Sequence, residues 1–151
     1  MPSISIVARD PTPAEAEISD LLKQATAQAD DKDYDAAVAS LRRAYSLMES
    51  VATEWPIRTY FRLARYLHLS GNYDAAVQWL RSLLDNLDQR FDAREALYKE
   101  WGWMQSKGKY ATISKEVRKN VKNVIRNELV VFAERQHKIE ARAKKAAARA
   151  K

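Results

Sequence analysis

The residues that could do acid, base or metal chemistry are few and widely separated in this chain of 151 residues. His68 and His137 are its two histidines, and it contains no cysteine. A metal centre or a catalytic triad would therefore need carboxylates from unrelated segments, and a thiol nucleophile is excluded. The sequence also lacks the phosphate-loop, dinucleotide, metalloprotease and serine-hydrolase signatures. We therefore expect no enzymatic activity, no cofactor and no metal site.

An acidic cluster, Asp30, Asp31, Asp33 and Asp35, is the pattern closest to a calcium loop. Its spacing lacks the central Gly and the terminal Glu of an EF-hand. Short acidic side chains also favour turns and helix N-caps, where they accept hydrogen bonds from free backbone N–H groups. The pattern therefore predicts a helix–turn–helix junction at these residues.

Three arginines, Arg58, Arg62 and Arg65, are spaced i, i+4 and i+7 and so share one face of a predicted helix. Phe61 and His68 lie beside them in the same segment. Such a face could hold an acidic segment of another protein. It could equally pair with Asp or Glu of neighbouring helices, and the sequence leaves both readings open.

The positive charge is concentrated at the C-terminal end of the chain. The net charge is +6, but residues 1–110 carry 14 Lys or Arg against 16 Asp or Glu, and residues 111–151 carry 12 against 4. The basic positions after Phe132 are Arg135, Lys138, Arg142, Lys144, Lys145, Arg149 and Lys151. They could contact nucleic-acid phosphates or an acidic partner, or form a solvated tail that frays when free. Aromatic residues for base stacking are missing there, so base reading is not expected.

The composition predicts an all-α protein. With 3 Gly and 4 Pro the chain has few turn residues, and no apolar run is long enough to cross a membrane. The first residues also lack a secretory signal pattern. We expect a soluble, cytoplasmic protein without membrane contact, and homo-oligomerisation is left open.

A repeated string organises the first two thirds of the sequence. Residues 32–41, KDYDAAVASL, recur as residues 71–80, GNYDAAVQWL, and more weakly from Gly108 to Val117. A residue that lets the chain reverse precedes a Tyr, an Ala allows close helix approach, and a Leu fills the space beyond it. Trp79 replaces Ser40 in the second copy, which predicts partial exposure or contact with a neighbouring hairpin.

This pattern resembles the tetratricopeptide repeat (TPR) family. The matching positions are Leu21, Ala25, Tyr34, Ala37, Leu41 and Ala44 in the first unit, and Tyr60, Leu63, Ala64, Tyr73, Ala76 and Leu80 in the second. A third, degenerate unit retains Leu97, Gly108, Tyr110 and Val117. The resemblance implies an α-solenoid of about three helical hairpins that binds a protein segment, as an adaptor, assembly factor or structural subunit.

In TPR domains the first helix of each unit lines a concave groove. The resemblance therefore implies a groove formed by Arg58, Phe61, Arg65 and His68, with Leu22 and Thr26 from the first unit and Tyr98 and Lys99 from the third. Arg58, Arg62 and Arg65 would be its charge anchors for an acidic or mixed partner. The alternative function is nucleic-acid association through the basic C-terminal helix.

The predicted domain boundaries follow from capping signals. Residues 1–12 are expected to be flexible, residues 13–132 to form the helical domain, and residues 133–151 to form the basic tail. Thr12 to Glu15 reads as a capping box that opens the first helix, and Asp92 to Glu95 as a box that opens the fifth. Pro56 suits the start of the third.

Overall fold

A computed structural model describes residues 12–51, 55–102 and 111–150. This part of the chain contains α-helices and no strands. The helices are α1 (Pro13–Asp30), α2 (Tyr34–Met48), α3 (Ile57–Leu69), α4 (Tyr73–Asp85), α5 (Leu87–Glu100) and α6 (Lys115–Arg149). Residues 1–11, and the Gly108 and Tyr110 of the third repeat, lie outside the described residues.

The first helix begins where the capping signal predicts. Thr12 Oγ1 accepts a hydrogen bond from the backbone N–H of Glu15 at 3.2 Å, and Pro13 occupies the first helical position. Pro has no N–H to leave unsatisfied there, so both residues favour a helix start.

The two repeated strings form the same turn. Asp33 N–H donates to the carbonyl of Gln28 at 2.9 Å, and Asn72 N–H donates to that of Leu67 at 2.9 Å. The residues that precede Asp33 and Asn72 have a positive φ, 60° at Lys32 and 88° at Gly71. These are the features of a Schellman motif, which ends one helix and reverses the chain.

The residue after each reversal caps the next helix. Asp33 Oδ1 accepts from Ala36 N–H at 3.3 Å, and Asn72 Oδ1 accepts from Ala75 N–H at 3.1 Å. Asp33 therefore has the predicted capping role.

The repeated Ala and Leu residues pack the two helical hairpins, α1–α2 and α3–α4. Ala37, Leu41, Ala76 and Leu80 are each 0% exposed. A larger side chain at either Ala would hold the two helices further apart. The prediction of close helix approach is confirmed at both positions.

The two hairpins are joined through aromatic side chains. Trp79 of α4 stacks on Tyr45 of α2, with ring centroids 5.6 Å apart, and its indole N–H donates to the carbonyl of Tyr60 at 2.7 Å. Tyr45 also donates its hydroxyl hydrogen to the carbonyl of Thr59 at 2.6 Å. The contact predicted between Trp79 and a neighbouring hairpin is therefore present.

The third unit departs from the first two. Asn86 is the single residue between α4 and α5, and α5 begins at Leu87. The prediction that Asp92 to Glu95 opens the fifth helix is wrong, because this segment lies inside α5. The acidic side chains of Asp92 and Glu95 bind Arg118 of α6 instead.

The long helix α6 packs along α4 in the opposite direction. Lys122 contacts Asp88, just past the end of α4, and ten residues later Phe132 contacts His68, whose ring neighbours Tyr73 at the start of α4. Ile125 and Phe132 enter the core, whereas Val117 is 47% exposed. The helix begins at Lys115, and its 35 residues extend about 52 Å.

Candidate functional site

The residues predicted to line a groove divide by exposure. Phe61 and Tyr98 are both 7% exposed, so their rings belong to the interior rather than to a ligand surface. Arg58, Arg65 and Lys99 are exposed, and Arg62 and His68 are half-buried. On α3, Phe61 lies on the face that packs against the core. Its position beside the arginines in the sequence did not show whether it belongs to this face or to the groove face.

Arg62 connects the first helices of the two hairpins. Its Nη2 donates to Thr26 Oγ1 at 2.6 Å and to the carbonyl of Leu22 at 3.2 Å, both on α1. The same nitrogen lies 3.2 Å from the hydroxyl oxygen of Tyr66, over whose ring the guanidinium also sits. All three oxygens are neutral. Arg62 therefore holds α1 against α3 by hydrogen bonds, and no carboxylate among these partners neutralises its positive charge.

A cleft of about 320 Å³ lies beside this connection, between α1 and α3. Its lining contains charged, aromatic and apolar groups: Ala29, Asp30, Tyr34, Arg62, Arg65, Tyr66 and Leu69. The rings of Tyr34 and Tyr66 lie 6.3 Å apart. Arg65 has no carboxylate partner among the described residues, and Leu69 is 53% exposed. The structure thus brings Arg62 and Arg65 together at one cleft, while Arg58, His68, Tyr98 and Lys99 are not part of its lining.

His68 contacts α6. Its Nε2 lies 3.0 Å from Gln136 Oε1, and its ring centroid is 5.4 Å from that of Phe132 and 5.6 Å from that of Tyr73. This histidine therefore fixes the middle of α6 to the second hairpin. Because Gln136 lies 68 positions further along the chain, local spacing could not reveal the pair.

Arg118 binds a group of acidic side chains that the sequence reasoning missed. Its guanidinium donates to Asp92 Oδ1 at 2.7 Å, to Glu95 Oε1 at 3.0 Å and to Asp88 Oδ1 at 3.3 Å. The acids share one face of α5 because their spacing is i, i+4 and i+7. That spacing predicts an acidic helix face. It does not identify the cation, because Arg118 lies on another helix, 23 or more positions along the chain from each acid.

Two opposing influences act on the groups of this cluster. Desolvation of Arg118 lowers its pKa, but hydrogen bonds to Asp92, Glu95 and Asp88 outweigh it and the net pKa is raised. Asp88 accepts a hydrogen bond from Lys122 Nζ at 2.6 Å, and this bond, with a further one from Arg118, lowers the pKa of the Asp88 carboxyl. Both shifts favour the charged forms, of Arg118 and of Asp88.

A second cleft, of about 560 Å³, opens beside this cluster. Its lining is mostly cationic: Asp88, Ile113, Lys115, Arg118, Lys119, Lys122 and Arg126. Asp88 neutralises part of this charge through Arg118 and Lys122. The surface is therefore less positive than its residue types alone suggest.

The basic tail residues lie on the last part of α6. Arg135, Lys138, Arg142, Lys144, Lys145 and Arg149 are all exposed, and Lys151 lies outside the described residues. The helix continues to Arg149 although Phe132 is its last buried residue. The boundary between the helical domain and the basic tail, and the tail's behaviour when free, stay predictions.

The described residues contain neither a metal-binding cluster nor a membrane-spanning helix. No group of three His, Asp or Glu side chains in residues 12–51, 55–102 and 111–150 lies close enough to hold a metal ion. Over the same ranges, no helix has the length and apolar character needed to span a bilayer.

Successive hairpins with equivalent turns and an interlocked interface define an α-solenoid. Residues 17–89 match the family model of the tetratricopeptide repeat, and this match extends from α1 to the beginning of α5. The match covers just under half of the chain, and this part of it is similar to tetratricopeptide repeats, which generally mediate protein–protein interaction. No significant match was found among curated proteins or among solved structures.

Proposed function

We propose that this protein is a non-catalytic adaptor, assembly factor or structural subunit that holds a segment of a partner protein in the cleft between α1 and α3. The cleft lies between the first helices of two tetratricopeptide hairpins, where this family binds its ligands. Its volume of about 320 Å³ suits a few side chains of an extended peptide rather than a folded surface. We place this activity in the cytoplasm.

The chemistry of the lining selects an acidic residue next to an apolar one. Arg65 offers a guanidinium that no described carboxylate occupies, and charge-assisted hydrogen bonds of this kind are among the strongest that a peptide can make. Leu69 lies one turn further along α3 and is 53% exposed. Asp30, on the opposite wall, would accept a hydrogen bond from a backbone or side-chain donor of the same peptide.

The observation that carries the proposal is the pairing of Arg65 and Leu69 at the rim of one cleft. Exposed leucines usually stand alone on a surface, and unpaired arginines usually extend into water. Here the two groups sit beside the half-buried ring of Tyr34, whose flat face adds apolar area without much loss of side-chain entropy, while Tyr66 is 9% exposed and adds little surface. An aspartate or glutamate followed by a leucine would satisfy all of these groups together.

The experiment selects ligands from random peptides displayed on phage, using the full chain, and measures the selected peptides by isothermal titration calorimetry. We expect sequences with an acidic residue beside a large apolar one. Arg65→Gln should weaken their binding roughly tenfold, because a charge-assisted hydrogen bond is lost. Leu69→Gln should weaken it by a similar factor, since apolar burial is lost.

Arg58→Gln is the matched control. Arg58 is an exposed arginine on the same helix, outside the cleft, so its removal changes the net charge equally and should leave affinity unchanged. Arg62 is unsuitable for this test because its loss would also loosen α1 from α3. Equal weakening by Arg58→Gln and Arg65→Gln, or selection of peptides without acidic residues, would refute the proposal. Removing the chain after Phe132 should leave peptide binding intact.

A further inference from the structure

The second half of α6 presents a stripe of positive charge. Arg135, Lys138, Arg142, Lys145 and Arg149 are spaced three or four residues apart, so they occupy an arc of roughly 80° on one side of the helix. All five are exposed. We call these five residues the distal basic stripe.

Nothing in the described part of the chain neutralises this stripe. Of the two acids in the segment, Glu140 lies on another side of the helix and accepts a hydrogen bond from Gln136 at 3.2 Å, and Glu134 borders the stripe without an ion pair to it among the described residues. Arg135 packs over the ring of Phe132, with 5.5 Å between its guanidinium carbon and the ring centroid, which leaves its charge uncompensated. The stripe therefore differs from the basic surface near Asp88, where acids of α5 bind Arg118 and Lys122.

The stripe lacks what a protein partner would require. Ile139 is the single large aliphatic residue after Phe132, and the remaining uncharged surface there is mostly alanine. Protein interfaces depend on aromatic or large apolar anchors that fill pockets. A regular array of charges without such anchors instead matches a ligand whose own charges are regular, which is a phosphate backbone.

The helix also has suitable dimensions for duplex DNA. The stripe extends from Arg135 to Arg149, about 21 Å along the axis, and an α-helix is about 10–12 Å wide, close to the width of the B-form major groove. The major groove of an RNA duplex is too deep and narrow for this contact. We propose that the distal basic stripe binds the phosphate backbone of double-stranded DNA without reading its sequence. This activity goes beyond the proposed function and uses none of the cleft residues.

The experiment measures the fluorescence anisotropy of a labelled duplex of about 20 base pairs during titration with the full chain, at several salt concentrations. If all five cations contact phosphates, log K should fall with log salt with a slope of about −4.5, so the affinity drops several hundred-fold between about 50 and 200 mM salt. The triple variant Arg142→Gln, Lys145→Gln, Arg149→Gln should reduce the slope to about −2. Duplexes of unrelated sequence should bind equally well.

The matched control is Lys23→Gln, Arg42→Gln, Arg81→Gln, which removes the same charge from exposed positions on α1, α2 and α4. It should keep the slope of the original chain. Should the stripe variant lose helical signal in circular dichroism, each single substitution should still reduce the slope by about 0.9. Three results would each overturn the proposal: no DNA binding at about 50 mM salt, equal loss in stripe and control variants, or competition by polyglutamate as strong as that by DNA of equal charge. None of them bears on the peptide cleft, which is tested through Arg65.

Discussion

Arg118 Nη1 and Asp92 Oδ1 lie 2.7 Å apart and join two helices that have little other contact. The guanidinium also reaches Asp88 and Glu95, and it donates from Nε to the carbonyl of Ile113 at 3.1 Å. Its side chain is 14% exposed, so the bonds form in a partly desolvated position. This arginine therefore sets where α6 begins to follow α4.

Arg118→Gln should destabilise the protein by about 1–2 kcal/mol, because it leaves three carboxylates without their shared cation. The measurement is the free energy of unfolding by urea. Arg126→Gln is the control, since Arg126 is exposed and donates a hydrogen bond to Asn123, one turn away on the same helix. Equal effects of the two substitutions would show that Arg118 does not anchor α6.

Asp88 gives the stability a defined dependence on acid. The pKa of its carboxyl is lowered in the folded state, first by the hydrogen bond from Lys122, so the folded state favours the charged form. Its contribution is therefore present above the ordinary carboxyl pKa near 3.8 and is lost as the pH falls through the lower, folded-state value. Asp88→Asn should be less stable than the parent at pH 7, and the difference should shrink below about pH 4 in thermal melts. A difference that is constant with pH would contradict this assignment.

The chain reversals at Lys32 and Gly71 should respond in opposite ways to substitution. Lys32 adopts a φ of 60°, which costs a non-glycine residue about 1–2 kcal/mol, whereas glycine adopts it freely but loses more entropy on folding. Lys32→Gly should therefore stabilise the protein by about 0.5–1 kcal/mol, and Gly71→Ala should destabilise it by about 1 kcal/mol. A Cβ at Gly71 meets nothing within 4 Å, so any loss there comes from backbone conformation and not from crowding. Denaturation by urea measures both.

Close packing in the hairpins can be tested at Ala76. Ala76→Leu should destabilise the protein by about 1–3 kcal/mol, because a larger side chain enters a site that is 0% exposed. Ala39→Leu, at an exposed position of α2, is the control and should change stability little. Matching thermal melts for the two variants would mean that the repeat alignment is wrong.

Amide hydrogen exchange should divide α6 near Phe132. The part of α6 before Phe132 packs on the core through Val121, Val124, Ile125 and Leu129. Its backbone hydrogen bonds should therefore open rarely, and its amides should exchange slowly. After Phe132 the helix lacks an apolar face, so its amides should exchange rapidly in the free protein at moderate salt. Strong protection through Arg149 in a monomer would contradict this.

The hairpins could be predicted from sequence because their information is local and repeated. Lys32 and Gly71 occupy equivalent positions in one string, and the turn, the cap and the close Ala contact all fall within ten residues of each. The start of α5 could not be read in the same way. Asp92 and Glu95 have the types and spacing of a capping box, but their oxygens are used by an arginine 26 and 23 positions away.

The candidate site was predicted in part for the same reason. The shared face of Arg62 and Arg65 follows from helical spacing, and the structure places both at one cleft. On α1, the acceptors of Arg62 are a hydroxyl and a backbone carbonyl. Every residue has a backbone carbonyl, so the sequence could not identify this acceptor. The His68 side chain contacts Gln136, and the two residues become neighbours only because α6 folds back along α4.

The interlocking of Tyr45, Tyr60 and Trp79 has a consequence for how the protein unfolds. Tandem repeats behave as a row of units, and they melt one after another when the contacts between units are weak. Here the boundary between hairpins contains stacked rings, the hydrogen bond from the Tyr45 hydroxyl to the carbonyl of Thr59 and the Arg62 bridge, so opening one unit removes partners from the other. We therefore expect the two repeats to unfold as a single cooperative block, separately from the far half of α6.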